Sequence, residues 1–146
     1  MRALALDLGS RRIGVAVSDA AGVLATPLTV LARSSDRRRD HARIAELVAE
    51  EEVGVVVVGL PLSLDGHEGA AAQAARGEAA ELAESLAVPV VVHDERLTTM
   101  TANRLLTEAG LDGKARRKVV DQVAASVLLQ AWLDGASSRT DGAGRP

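Results

Sequence analysis

The chain lacks cysteine and nearly lacks aromatic side chains. Among its 146 residues there is no Cys, Phe or Tyr, and Trp132 is the single aromatic residue. Without Cys, it cannot form a disulfide framework, a thiolate zinc site or a thiol nucleophile. Without aromatic side chains, it cannot stack successive bases as RNA-recognition sheets and OB-fold grooves do. Any recognition of nucleic acid must therefore use charge and the shape of the backbone.

Long apolar runs are also missing, and we expect no leader segment. The longest apolar run, residues 53–62, is about half of the roughly 20 residues that a membrane helix needs. Only four apolar residues follow Arg2 before Asp7 interrupts them, which is too short for a signal-peptide core. We expect a cytoplasmic protein with no membrane partner.

The composition, 47% hydrophobic and 25% charged with a net charge of −3, is that of one ordinary globular domain. Taken alone, this net charge argues against nucleic-acid binding.

Hydrophobic periodicity predicts a mixed α/β architecture in the order β-β-β-α-β-α-β-α. The predicted strands are residues 2–7, 13–18, 23–31, 53–59 and 88–93, and the predicted helices are residues 36–51, 68–87 and 114–134. The fourth strand is apolar throughout, which predicts burial on both faces of a sheet covered by helices. We assign one domain to residues 1–134. Residues 135–146 are rich in Gly, Ser and Arg and are predicted to be a disordered tail.

Acidic residues occur at two predicted strand ends and on one helix. Asp7 ends the first strand, Asp94 and Glu95 follow the last strand, and Asp121 lies in the last helix. Singly, each has an ordinary explanation, such as a turn residue or an ion pair with a nearby base. Those explanations do not account for acids at all three places together. Because ligands commonly bind at strand ends in sheets of this kind, we expect these carboxylates to converge.

Converging carboxylates require a compensating charge. A like-charged pair about 4 Å apart costs on the order of 4 kcal/mol at an effective dielectric constant near 20. No Lys or Arg is adjacent to Asp7 in the sequence, so a divalent cation is the natural compensation. Oxygen ligands without a His or Cys cluster favour Mg²⁺ or Mn²⁺ over Zn²⁺. Two such ions would support hydrolysis of a phosphodiester bond.

The small net charge conceals a segregation along the chain. Residues 33–43 carry a net charge of +3 and residues 96–118 a net charge of +4, whereas residues 44–95 carry −10. The basic stretches suggest a rim that contacts phosphates around an acidic centre. The alternative is that these charges lie on solvated helix faces.

Four motifs resemble those of the YqgF/RuvX family. They are DLGSRRIGVAVSD at residues 7–19, GLPL at residues 59–62, DERLTT at residues 94–99 and KVVDQVAA at residues 118–125. The resemblance covers residues 2–134. It implies an RNase H-like fold, with a mixed five-stranded sheet flanked by helices. It also implies a metal-dependent endonuclease that hydrolyses structured RNA in processing of the 5′ end of pre-16S rRNA. The family has also been described as a Holliday junction resolvase.

The resemblance also implies roles for individual residues. The family's acidic positions match Asp7, Glu95 and Asp121, as catalytic residues and as ligands of Mg²⁺ or Mn²⁺. Asp94 remains an alternative to Glu95, because side chains of a strand alternate and only one of the two should face the metal. Gly9 would let a phosphate approach the backbone. The candidate phosphate-binding residues are Arg11, Arg12, Arg96, Lys114, Arg116, Arg117 and Lys118. Arg12 and Arg96 could instead each pair with a nearby carboxylate.

The expected partner is nucleic acid, with an rRNA precursor preferred over branched DNA, and ribosomal particles are a further candidate partner. Resolution of a four-way junction would need a symmetric dimer, and the sequence leaves monomer and homodimer open. A third hypothesis is a non-catalytic RNA-binding or ribosome-binding factor with a vestigial acidic site. Of the histidines, His41 is predicted to lie on a helix surface, His67 in a loop and His93 in the core.

Overall fold

The computed structural model describes residues 1–62, 65–95 and 123–135. Its elements follow the predicted order: β1 Arg2–Leu8, β2 Arg12–Ser18, β3 Ala25–Ala32, α1 Arg37–Glu50, β4 Val53–Leu60, α2 Ala70–Ser85 and β5 Val90–Asp94. Residues 123–135 are helical and are called the C-terminal helix below. The predicted mixed α/β architecture is confirmed over these elements. The start of the predicted last helix and residues 136–146 of the predicted tail lie outside the described residues.

The five strands form one mixed sheet in the order β3-β2-β1-β4-β5. The pairs β1–β2 and β2–β3 are antiparallel, whereas β1–β4 and β4–β5 are parallel. The carboxyl ends of β1, β4 and β5 therefore meet at one edge of the sheet, at Leu8, Leu60 and Asp94. This edge is where the sequence predicts the acidic residues to converge.

Alternation of side chains gives the sheet two different faces. On the first face, Leu4, Leu6 and Val58 pack in one core with Ile44 of α1 and Leu82 of α2. We call this the α1/α2 face. On the second face, smaller residues pack against the C-terminal helix, and the members of that core are Ala3, Ala5, Ala16, Val55, Val57, Ala125, Leu128, Leu129 and Leu133. We call it the C-terminal-helix face, and Trp132 packs at its margin.

Helix α1 begins as the sequence suggests, because the carboxylate of Asp36 accepts a hydrogen bond from Arg38 N at 3.0 Å. Its predicted apolar stripe is buried, but the stripe continues toward the amino end with two polar residues, Asp40 and His41. The prediction that His41 lies on the helix surface is wrong. It is buried because Glu78 of α2 supplies a hydrogen-bond partner, a long-range contact that helical periodicity does not reveal.

Among the residues that the structure describes, no helix is long and apolar enough to cross a membrane.

Candidate active site

Asp7 and Glu95 are brought to the same edge by the parallel part of the sheet. Asp7 is the last but one residue of β1, and Glu95 directly follows β5. The N–H of Glu95 donates a hydrogen bond to the carbonyl of Leu60 at 3.2 Å, so its backbone stays beside the end of β4. The two acids thus lie on either side of β4, and their side chains must cross that strand to meet.

A tight turn follows Asp7 and fixes where β1 ends. The N–H of Gly9 donates to the carbonyl of Asp7 at 3.1 Å and to the carbonyl of Arg12 at 3.0 Å. A Cβ atom at position 9 would lie 2.6 Å from the Arg12 carbonyl oxygen, which is backbone and cannot rotate away. The structure therefore explains this glycine by the close approach of the chain to itself. The predicted approach of a phosphate to Gly9 stays a prediction.

Gly59 of β4 leaves the space that the Glu95 side chain occupies. An ideal Cβ atom at position 59 would overlap Oε2 of Glu95, and it would lie 3.0 Å from Cδ2 of Leu128 in the C-terminal helix. The Glu95 carboxyl group therefore lies on the C-terminal-helix face, directly over the backbone of β4. The glycine that begins the GLPL motif therefore has a clear steric reason.

The carboxyl groups of Asp7 and Glu95 are in contact. Burial is the largest cause that raises the pKa of Glu95, to about 7. The negative charge of Asp7, a side-chain hydrogen bond with Asp7 and the charge of Asp94 raise it further. A hydrogen bond between two carboxyl groups requires that one of them carry a proton. Below about pH 7 and without a cation, the pair therefore shares a proton that a metal ion could replace.

Strand alternation distinguishes Asp94 from Glu95. Val91 of β5 packs on the C-terminal-helix face, and Val90 and Val92 pack on the α1/α2 face. Continuing the alternation assigns Glu95 to the C-terminal-helix face and Asp94 to the other. The contact between Glu95 and Asp7 agrees with this assignment. The structure thus favours Glu95 over Asp94 as the acid opposite Asp7.

The donor set is compatible with a hard divalent cation, although the described residues hold only part of it. The two carboxyl groups in contact supply oxygen atoms, which Mg²⁺ and Mn²⁺ prefer. Within residues 1–62, 65–95 and 123–135, no group of three or more His, Cys, Asp or Glu side chains could hold a metal ion. Asp121, the third predicted ligand, lies outside the described residues.

Two of the predicted phosphate-binding residues are described. Arg11 is exposed in the turn after β1, and Arg12 is partly buried at the start of β2, opposite Ala32 of β3. Arg11 therefore lies in the turn that follows Asp7, and Arg12 lies directly after it. The other candidates, Arg96, Lys114, Arg116, Arg117 and Lys118, lie outside the described residues.

The positive segment at residues 33–43 does not form the free basic rim that its charge suggested. Three of its arginines form ion pairs with glutamates of the acidic segment, residues 44–95. The pairs are Arg33 with Glu78 at 2.7 Å, Arg37 with Glu81 at 2.8 Å and Arg43 with Glu46 at 2.9 Å. In the folded protein, the positive charges of this segment are therefore largely neutralised by neighbouring glutamates. Arg38 and Arg39 remain exposed.

Sequence reasoning missed the buried network of Arg33, His41 and Glu78. Both carboxylate oxygens of Glu78 accept hydrogen bonds from the Arg33 guanidinium, at 2.7 and 2.9 Å, and His41 Nε2 lies 2.8 Å from Oε2. A signal was present, because Glu78 interrupts the buried stripe of α2 between Ala75 and Leu82. A charge at a core position of a helix indicates a buried partner.

Of the other histidines, His67 lies in the loop before α2 as predicted, and His93 is partly buried in β5.

Comparison with known proteins places the chain in a family. The sequence profile of the RuvX family, described as Holliday junction resolvase, matches residues 1–135. A protein of Myxococcus xanthus strain DK1622, named "Putative pre-16S rRNA nuclease", is 50% identical over 134 residues, 92% of this chain and 88% of that protein. A protein of Anaeromyxobacter sp. strain Fw109-5 with the same name is 50% identical over 135 residues, 92% of this chain and 98% of that protein.

Solved structures show the same fold. RuvC from T. thermophilus, in complex with a Holliday junction substrate, superposes with a TM-score of 0.57 at 20% identity over 94% of this chain and 96% of that chain. Another Thermus thermophilus RuvC structure gives a TM-score of 0.55 at 18% identity, over 94% of this chain and 97% of that chain. These similarities establish the expected RNase H-like fold.

Proposed function

The chain belongs to the RuvX family of nucleases, and we propose that it is a metal-dependent endonuclease acting on structured RNA, in processing of the 5′ end of pre-16S rRNA. The observation that carries the proposal is the contact between the carboxyl groups of Asp7 and Glu95 at the edge where the parallel strands end. The choice of RNA rests on the naming of relatives that are about 50% identical over most of the chain.

Asp7 and Glu95 would hold Mg²⁺ or Mn²⁺ together with Asp121. Asp121 precedes Ala125 by four positions and Leu128 by seven, which is the spacing of one helix face. Ala125 and Leu128 pack on the C-terminal-helix face, the same face on which Glu95 crosses β4. This spacing supports Asp121 as the third ligand. When bound, such a metal would activate a water molecule and stabilise the leaving oxygen of a phosphodiester.

The residues of this chain have separate roles in the proposed reaction. Glu95 must lose its shared proton before the site can take a cation, so a pKa near 7 makes the site sensitive to pH in the neutral range. Arg11 and Arg12, in and directly after the turn beside Asp7, would contact phosphates of the bound strand, as would Arg96, Lys114, Arg116, Arg117 and Lys118. Such contacts position the backbone without reading sequence.

A second candidate function is resolution of a four-way DNA junction. It is supported by the description of the family profile as Holliday junction resolvase. This function requires two cuts placed symmetrically and hence a dimer. The third hypothesis, an RNA-binding or ribosome-binding factor without catalysis, predicts no carboxylate-dependent binding of metal.

The test offers the purified protein three labelled substrates side by side with Mn²⁺: an rRNA precursor, a four-way DNA junction and single strands. The wild type should cut the rRNA precursor near its 5′ end, and Asp7→Asn should not cut it. Preferential cutting of the junction would replace the first function with the second. Calorimetric titration with Mn²⁺ adds the remaining distinction, because the absence of binding would favour the non-catalytic hypothesis.

A further inference from the structure

Arg33 is bonded to both sides of the turn that follows Asp7. It directly follows β3, and its backbone N–H donates to the carbonyl of Arg11 at 2.9 Å. Its side-chain Nε donates to the carbonyl of Gly9, also at 2.9 Å. Gly9 in turn donates its own N–H to the carbonyl of Asp7 at 3.1 Å. A short series of hydrogen bonds therefore joins the Arg33 guanidinium to the backbone of Asp7.

The other edge of the same guanidinium is held by α2. NH1 and NH2 of Arg33 each donate to one carboxylate oxygen of Glu78, at 2.7 and 2.9 Å, the planar two-bond geometry that fixes orientation as well as distance. The side chains are 16% and 4% exposed. His41 of α1 bonds to the same carboxylate at 2.8 Å. Two helices on the α1/α2 face thereby fix an arginine that reaches the turn at the edge of the sheet.

Stability alone does not require an ion pair here. A buried pair loses the hydration of both charges, and well-packed apolar residues of similar size are often as stabilising. What an apolar pair could not supply is the directed bond to the Gly9 carbonyl. The planar guanidinium bonds to Glu78 and to Gly9 at once, which the ammonium group of Lys cannot reproduce in that geometry.

We propose that Arg33 is a positioning residue of the candidate active site: held by Glu78, it fixes the Gly9 carbonyl and thereby the place of Asp7 at the end of β1. This inference rests on the proposed function in so far as Asp7 binds a metal ion. It assigns to the helices on the α1/α2 face a part in a site that lies on the opposite face of the sheet. Glu78 acts through Arg33 and has no direct contact with Asp7 in this scheme.

The test compares Arg33→Lys with Arg76→Lys in the full chain. Arg76 is the matched control, because it forms a similar two-bond pair with Glu68, at 2.7 and 3.0 Å, but that pair is exposed. Amide hydrogen exchange is measured for residues 8–12 and for β4. Mn²⁺ affinity is measured by calorimetry, and cleavage is followed over a range of Mn²⁺ concentrations.

Arg33→Lys should accelerate exchange in residues 8–12 with little change in β4. It should also weaken Mn²⁺ binding by about 10-fold, the scale of losing a group that orients a ligand. Much of the cleavage rate should return at high Mn²⁺, which a general loss of structure would not allow. Arg76→Lys should change none of these. Should Arg33→Lys fail to fold, the double variant Arg33→Met with Glu78→Met removes the anchor without leaving either member of the ion pair buried alone, and the same results are expected.

Either of two results would overturn the positioning role while leaving the metal site in place: wild-type Mn²⁺ affinity in a folded Arg33 variant, or exchange in residues 8–12 that remains unchanged. If the wild type itself binds no Mn²⁺, the proposed metal site is wrong and the positioning role is overturned with it. Binding of Mn²⁺ by the wild type and equally by the Arg33 variants overturns the positioning role alone.

Discussion

The carboxyl group of Glu95 occupies the position that a side chain at Gly59 would take. An ideal Cβ atom on Gly59 overlaps Oε2 of Glu95, and the carboxyl group continues from there to a hydrogen bond with Asp7. Strand β4 lies between the two acids in the sheet. At Gly59 it carries no side chain, and this leaves room for the two carboxyl groups to meet. This relationship makes the missing side chain at position 59 part of the candidate site.

Gly59→Ala should impair the site more than the fold. The added methyl group would displace the Glu95 carboxyl group from Asp7, so Mn²⁺ affinity and cleavage should each fall by about 10-fold or more. Gly54→Ala in the same strand is the control, because there the three atoms nearest to the added Cβ all belong to the flexible side chain of Met1. Calorimetry and cleavage assays on both variants check this prediction. Equal losses in the two variants would contradict it.

Asp7→Asn should abolish cleavage without loss of stability. The substitution removes a ligand charge, and we expect cleavage to fall by at least about 100-fold. Because it also removes the repulsion that raises the pKa of Glu95, the free energy of unfolding without metal at pH 8 should be no lower than that of the wild type. Urea unfolding and the rRNA-precursor assay measure the two effects. Asp19→Asn, in the exposed loop after β2, is the matched control and should cleave normally.

The stability of the metal-free protein should fall as the pH rises from about 4.5 to about 7. Below 4.5 the Glu95 carboxyl group is protonated in both states. Between 4.5 and about 7 the unfolded chain releases this proton while the folded protein keeps it, and above 7 the difference is constant. Relative to Glu95→Gln, the wild type should lose on the order of 2 kcal/mol across this range.

Urea unfolding with EDTA at pH 5 and pH 8 checks this sign, with Glu95→Gln as the reference because groups that do not interact with Glu95 titrate equally in both proteins. Added Mn²⁺ should stabilise the wild type more at pH 8 than at pH 5, since binding requires the ionised carboxylate. Parallel pH profiles of the wild type and Glu95→Gln would show that Glu95 titrates normally in the folded protein.

Two glutamates one turn apart on α2 should differ widely in their effect on stability. Glu78→Ala leaves Arg33 buried without its carboxylate and should lower the free energy of unfolding by about 3–5 kcal/mol. Glu81→Ala removes an ion pair with Arg37 in which the side chains are 50% and 56% exposed, and it should cost less than about 1 kcal/mol. Urea unfolding at pH 7 measures both changes. Similar values for the two variants would contradict the buried character of the Arg33 pair.

The local pattern of apolar and polar residues was enough to predict most of the fold. Apolar runs predicted all five strands, and the apolar positions of α1 predicted its buried stripe, because periodicity reflects which face a residue turns to the core. Acids at strand ends pointed to Asp7 and Glu95 together. Sequence left Asp94 open beside Glu95, since the choice depends on which face of the sheet carries the site.

The tertiary structure decided the contacts that span long distances along the chain. Local charge counts made residues 33–43 a basic segment, but folding places glutamates of α2 against Arg33 and Arg37. His41 is buried for the same reason, because its partner is 37 residues away. The sequence alone determined the kinds of element and the acids at their ends, through short-range periodicity. Which charges are cancelled, and which side chain must be absent for two acids to meet, depends on strand order and packing, and those follow only from the folded chain.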